Sequence, residues 1–316
     1  MADDCPIITV GLSPAWDITC RGEGLNWGLH KGIDEQTIRP AGKALNISCA
    51  LAWIGQKSIA AGIWGRDDYN QMLEYLRPLR GLVKIKLTAV DGRTRQNVTV
   101  VDTANGREMH LRSKSSLASA KALRKLKTDL KQIMRRGSIC VFAGMMPEGV
   151  LLDEVVGVVR DCGWRGAKIV LDSHSEALRR IVDTGQVWII NPNVEELRAL
   201  LGVQVRDNPV GLAKAGRRLL SKVQFVLISR GEKGGVLVTE AGAWQGSCAG
   251  RAKVLGTVGC GDYLLAGFLK GLTDGSDPGS ALATAIQVAT ARACGWTETK
   301  TWPQVRREIR VHIAEI

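Results

Sequence analysis

Apolar residues fall into two kinds of run along the chain. Short continuous runs, PIITVGL (6–12), SIAAGIW (58–64), SICVFAG (138–144), AKIVLD (167–172), QVWIIN (186–191) and QFVLIS (224–229), predict strands buried on both faces. Alternating, part-polar runs at 15–22, 33–41, 94–102 and 107–113 predict strands with one wet face. The second pair of these is joined by a turn, TANG. Between the strands, apolar residues recur at helical spacing, predicting helices at 43–54, 67–79, 117–136, 150–162, 174–183, 194–201, 209–221, 261–272 and 278–294, with a last one over 303–314. GVLVTE (235–240) and AWQGSCA (243–249) read as a hairpin. Regular alternation of strand and helix predicts an α/β fold, a three-layer α/β/α core around a mainly parallel sheet. The wet strand pairs predict a small β-sheet lid, formed by about 13–41 and 82–114 and inserted in a single domain spanning 1–316.

Composition narrows the class. Of 316 residues, 45% are hydrophobic and 23% charged, an ordinary globular mixture that excludes a disordered chain or a fibre. Eight cysteines stand singly, without zinc or redox spacing. The acidic opening MADDCP carries no signal-like apolar run, and no run is long enough to span a membrane. The expected setting is cytoplasmic, with reduced thiols. The net charge of +12 invites nucleic acid as a partner. Yet the densest basic stretch, LRKLKTDLKQIMRR (123–136), has leucines at helical spacing and reads as a solvated helix face. Small anionic substrates explain the charge more economically.

The candidate chemistry is concentrated in four places. In GTVGCGDYLLAGFLKGL (256–272) a Gly-x-Gly turn runs into a helix expected to start at Asp262. The amides of Gly259, Cys260 and Gly261, with the helix dipole, would form an anion hole. Asp262 at its edge reads either as a general base or as the helix cap. In INPNVEELRALLG (190–202), Asn193 and Glu196 read as oxygen groups facing a hydrated Mg2+ or as a capping box. In LISRGEKGGVLV (227–238), Ser229, Gly231 and Gly234 read as a nucleotide-phosphate turn or a plain hairpin. In RPAGKALNISCALAWIG (39–55), Gly42, Lys43 and Asn46 begin a helix suited to an anion or hydroxyls.

Taken in this order, Gly-Lys-x-x-Asn, Asn-x-x-Glu, Ser-x-Gly-x-x-Gly and Gly-x-Gly-Asp resemble the pfkB (ribokinase-like) carbohydrate kinases over residues 6–295. The resemblance implies an ATP-binding core and a lid closing over a sugar. It makes Asp262 the base, the backbone of 259–261 the anion hole and Ser229–Gly234 the nucleotide turn. Asn193 and Glu196 become a nucleotide and Mg2+ site acting through water. GLSPAWDIT (11–19), GRTRQNVTV (92–100) and FAGMMPEGV (142–150) are similar to the phosphosugar branch, which includes 1-phosphofructokinase, tagatose-6-phosphate kinase and the minor 6-phosphofructokinase. There Asp17 would bind sugar hydroxyls, Lys43 and Arg95 would clamp a phosphate already on the sugar, and Asn97 would lie beside them. Fructose 1-phosphate is the leading expected substrate, and a homodimer through the lid the expected assembly. Other readings are a kinase of an unphosphorylated sugar or nucleoside, separated by whether Lys43 and Arg95 face the pocket, and a silent binding protein, opposed by Asp262 with both its glycines. Departures from the family pattern are Ala41 and Ala44 around Gly42-Lys43, Cys260 for a small Ala, Gly256 for Asp, Asn or Ser, and LRSKSSL (111–117) for Pro-Gly-Pro.

Overall fold

The computed structural model describes residues 6–28, 30–250 and 253–316; Asp3, Asp4 and Cys5, which entered the reading of setting and thiols, lie outside them. In chain order the strands are β1 (Ile7–Gly11), β2 (Ala15–Gly22), β3 (Glu35–Ala41), β4 (Ser58–Gly65), β5 (Val83–Ile85), β6 (Thr88–Val90), β7 (Arg95–Asp102), β8 (Arg107–Arg112), β9 (Ile139–Ala143), β10 (Lys168–Asp172), β11 (Val187–Ile190), β12 (Phe225–Ser229), β13 (Gly235–Thr239), β14 (Gly242–Cys248) and β15 (Val311–Glu315). The α-helices are α1 (Lys43–Trp53), α2 (Tyr69–Tyr75), α3 (Ala120–Ile133), α4 (Val150–Trp164), α5 (Ser175–Val182), α6 (Val194–Leu201), α7 (Pro209–Arg217), α8 (Cys260–Thr273), α9 (Pro278–Ala293), α10 (Trp296–Thr299) and α11 (Trp302–Glu308).

The large sheet runs β15-β14-β13-β12-β11-β10-β9-β1-β4-β5, with β6 also on β4. It is parallel from β12 to β5 and antiparallel from β12 to β15. Its strands are apolar throughout because both faces are covered. On β10, Ile169 and Leu171 join the core under α3, α4, α5 and α7, while Val170 joins the opposite core with α1, α8 and α9. β1 lies between β4 and β9, so the chain order reverses there. Ligand clefts in such sheets form beyond the carboxyl ends of the strands at that switch, and Asp172 and Ser229 are the last residues of β10 and β12.

The lid is a second sheet, β3-β2-β7-β8. Its root is one buried carboxylate. Asp68 accepts from Trp16 Nε1 at 2.9 Å, from Thr94 N at 3.1 Å and from Thr94 Oγ1 at 3.0 Å. Trp16 also meets Trp64 of the core edge-on, with ring centroids 5.6 Å apart.

Three expectations need correction. The lid takes only 95–112 from the segment expected to supply 82–114: β5 and β6 pair with β4 in the large sheet instead. Val83 and Thr88 are buried there, so these residues satisfy a dry edge, not a wet lid. The last helix stops at Glu308, and β15 follows, antiparallel to β14. Val311 and Ile313 pack inward while His312 is exposed, a period of two that β14's free edge captures. The helix expected over 67–79 is also broken: 3-10 turns flank α2, the second carrying Pro78.

Candidate active site

The carboxyl edge of the sheet brings α1 and α8 together. Gly42 caps α1 and Lys43 opens it. Asn46, one turn in, donates from Nδ2 to Asp262 Oδ2 at 2.8 Å. Lys43 Nζ lies 2.7 Å from Asp172 Oδ1. Asp262 is the third residue of α8, whose cap is Gly259, so its carboxylate serves Asn46 and does not cap the helix. The cap reading of Asp262 therefore falls away, and the helix starts two residues earlier than expected. Asp262 is buried. Burial and the Asp172 carboxylate push its pKa up to about 7, while Lys43, the Asn46 hydrogen bond and Arg292 pull the other way. Burial opposes the charge of Lys43, but Asp172, Asp262 and Glu196 outweigh it and raise its pKa above the usual lysine value. The site therefore holds a fixed cation and a carboxylate poised near neutrality.

Gly259 takes the left-handed conformation, φ 82°, which turns the chain into α8 without a Cβ penalty. The first amides of a helix have no carbonyl within it to bind. That of Cys260 turns back to Thr257 O at 3.3 Å. Gly261 lines a cleft of about 870 Å3 with Ser229, Gly231, Gly234, Leu264, Ile286 and Ala289, within the range of small-molecule sites.

Asn193 and Glu196 form a capping box: each side chain accepts from the other's backbone amide at 2.9 Å. Ser229 and Asn193 form a parallel bridge, and the Ser229 amide donates to Pro192 O. Two segments read separately in the sequence are thus adjacent. Gly234 is required by packing: a Cβ there would stand 2.0 Å from Gly246 O, at φ 81°. The turn is further held by Asp207, paired with Arg230 and Lys233.

On the lid, one register row runs Arg39, Asp17, Asn97, Arg112 across four strands. Asn97 Nδ2 donates to Asp17 Oδ1 at 2.9 Å. Arg95 shares the face of Asn97, two residues earlier on β7. Its guanidinium donates to Pro14 O, Ser113 O and Ser13 O, leaving two of five N–H groups. Lys43 sits on α1 beside Asp172, so the two expected phosphate ligands stand on different elements, each with protein partners.

Two polar side chains near the site were not among the candidate residues read from the sequence, although Asn191 lies within 190–202. Asp172 is 1% exposed, and Asn191 donates from Nδ2 to Gly261 O at 3.4 Å. Among the described residues, Asp172 Oδ2, Asn191 Oδ1 and Asn97 Oδ1 are buried without a hydrogen-bond partner. An acidic or amide residue closing an apolar strand, as in VLD and IIN, is the signal that could have found the first two.

Comparison with known proteins follows the same outline. The model of the pfkB family carbohydrate kinases matches residues 19–299. A 1-phosphofructokinase of Haemophilus influenzae is 27% identical over 286 residues, covering 90% of this chain and 89% of that protein. A tagatose-6-phosphate kinase of Staphylococcus epidermidis is 23% identical over 311 residues, covering 96% and 99%. The crystal structure of phosphofructokinase-2 from Escherichia coli in complex with fructose-6-phosphate superposes with a TM-score of 0.87 at 20% identity, over 96% of this chain and 97% of that one. Among the described residues no helix is long and apolar enough to cross a membrane. With a family match across most of its length, and with Asp262 at a glycine turn facing Asn46, the chain belongs to the pfkB family of carbohydrate kinases.

Proposed function

We propose that the protein transfers the γ-phosphoryl group of ATP to a hydroxyl of a sugar that already carries a phosphate, with fructose 1-phosphate, giving fructose 1,6-bisphosphate, as the first candidate. The observation that carries this reading is Asp262: a buried carboxylate with a pKa of about 7, in the first turn of α8 and hydrogen-bonded to Asn46 of α1. In the reaction the sugar lies under the lid, its hydroxyls on Asp17 and Asn97. Asp262 accepts the proton of the attacking hydroxyl. The amides at the start of α8 and the helix dipole stabilise charge on the phosphoryl group as it moves. Arg39, Arg95 and Arg112 make the lid face cationic, which supports a substrate bearing a second phosphate. The names of the two relatives, 1-phosphofructokinase and tagatose-6-phosphate kinase, support the same substrate class. ADP release measured across fructose 1-phosphate, fructose 6-phosphate, tagatose 6-phosphate and the free sugars tests the reading. Equal turnover of free and phosphorylated sugars would overturn it.

Oxygen donors suit a hard, hydrated cation, and the side-chain oxygens of Asn193 and of Glu196, whose charge reaches Lys43, are of the kind that suits Mg2+. Asn193 and Glu196 would hold that ion through water, and its charge would offset that of the phosphates. Glu196→Gln is expected to raise the Mg2+ concentration for half-maximal rate several-fold, roughly, because a neutral amide holds a hydrated cation less well. The KM for the phosphosugar should stay within about twofold. An unchanged Mg2+ titration would leave Glu196 only its capping role.

Arg95→Met tests the phosphate clamp. With three N–H groups already on lid carbonyls, the expected rise in phosphosugar KM is roughly tenfold, about 1.4 kcal/mol. The KM for ATP and the weak turnover of free sugar should hardly change. Equal losses on both sugars would assign Arg95 to the support of the lid alone.

A further inference from the structure

The loop that delivers Asp262 is exposed from Lys253 to Val258, and the end of α9 fixes it. The amides of Leu255 and Gly256 both donate to Ala293 O, at 2.8 and 3.3 Å. Arg292 Nε donates to Val258 O at 3.3 Å. The same guanidinium lies 5.4 Å over the Tyr263 ring and 3.5 Å from Glu298 Oε1. At Gly259, between these groups, an added Cβ would stand 3.7 Å from Arg292 Nε and 3.8 Å from Asp262 Oδ2. Guanidinium and carboxylate thus both stand close to this turn.

We propose that Arg292 is a positioning residue for phosphoryl transfer: it holds the Val258–Gly259 turn through the Val258 carbonyl and sets a fixed positive charge across that turn from Asp262. This rests on the reading of Asp262 as the base. The groups facing Asp262 are Lys43 and Asn46 from α1, Asp172 from β10, Cys260 on its own helix and Arg292 from α9. Asp172 favours the protonated acid, and Lys43 and Arg292 favour the carboxylate. Lys43 is already paired with Asp172 at 2.7 Å, whereas the nearest acid to Arg292, Glu298, is 70% exposed and screened by water. Removing Arg292 therefore leaves the base more protonated at neutral pH.

The experiment compares the unaltered protein with Arg292→Met, Arg292→Lys and Asp262→Asn. Asp262 is titrated directly by 13C NMR of labelled aspartate, and kcat/KM for the phosphosugar is followed against pH. In Arg292→Met the NMR midpoint and the acid limb should rise together by about half a pH unit, with turnover at pH 7 down roughly tenfold as the turn loosens. Arg292→Lys should restore the midpoint, since it keeps the charge. An unmoved midpoint and limb in Arg292→Met, or a midpoint that lysine does not restore, would overturn the proposal, whatever the melting temperature does. Full turnover of Asp262→Asn would instead remove the base reading, while the NMR midpoint would still report on Arg292.

Discussion

Asp262→Asn is expected to lower turnover at least ~100-fold, the ordinary cost of losing a general base, with the melting temperature kept or raised. The amide matches the carboxyl in size and can still accept from Asn46 through its oxygen, but it cannot take a proton. In the unaltered enzyme the folded pKa, about 7, lies above the ordinary aspartate value of 3.8. Activity should therefore fall tenfold per pH unit below about 7, as the base becomes protonated. The stability linkage runs with the same sign. A raised folded pKa means that the native state favours the protonated acid, so this group's contribution is full below pH 3.8 and is lost as pH rises through about 7. The asparagine variant lacks that loss, and its melting temperature should gain on the unaltered protein between pH 5 and pH 8. Thermal unfolding at the two pH values, with single-turnover rates, checks both halves. Retained turnover with a lowered melting temperature would return Asp262 to a structural role.

The second large effect is expected from Lys43→Met. It leaves Asp172, 1% exposed, without the ammonium 2.7 Å away. Breaking a fully buried pair costs about 3–5 kcal/mol. Lys43 is 38% exposed, and water screens part of that, so roughly 2–3 kcal/mol is expected here. The same change removes the main cation holding Asp262 ionised, so kcat/KM at pH 7 should fall ~100-fold or more. The double substitution Lys43→Met with Asp172→Asn separates the two effects. Stability should return, because no buried charge is left alone, while activity should not. Chemical denaturation of the four proteins of this cycle gives the coupling directly. Recovery of both would place Lys43 outside the chemistry.

The local features that can be read from sequence are those whose physics is local. Continuous apolar runs marked the strands of the core, alternation marked β2, β3, β7 and β8, and Gly259-x-Gly261-Asp262 marked the turn into α8. What was hidden depends on residues far apart in the chain. Lys43 meets Asp172 across 129 positions, and Asn46 meets Asp262 across 216. No spacing rule reaches that distance, and a lone aspartate ending a strand looks like any other. β15 was read as helix because five residues are too few to separate a period of 2 from one of 3.6, and its state was decided by the open edge of β14. Val83–Ile85 and Thr88–Val90 went to the large sheet for a similar reason, since β4 offered them a partner. Asn193 and Glu196 carried two readings that are compatible. The capping box forms, and it holds Glu196 at the place from which its charge reaches Lys43.

The root of the lid also sets its mechanics. β2 and β7 leave the core side by side and in the same direction, and Asp68 grips both near their starts, through Trp16, second in β2, and Thr94, just before β7. A beam clamped in this way at one end does not swing like a gate. It bends, and its deflection grows with distance from the clamp, towards the tip where Thr103 N bonds Gly22 O. In any such bending Asp17 and Asn97, one and three positions beyond the grip, would travel least and the far end most. Resistance to that bending would fall first on one buried carboxylate at the root, Asp68.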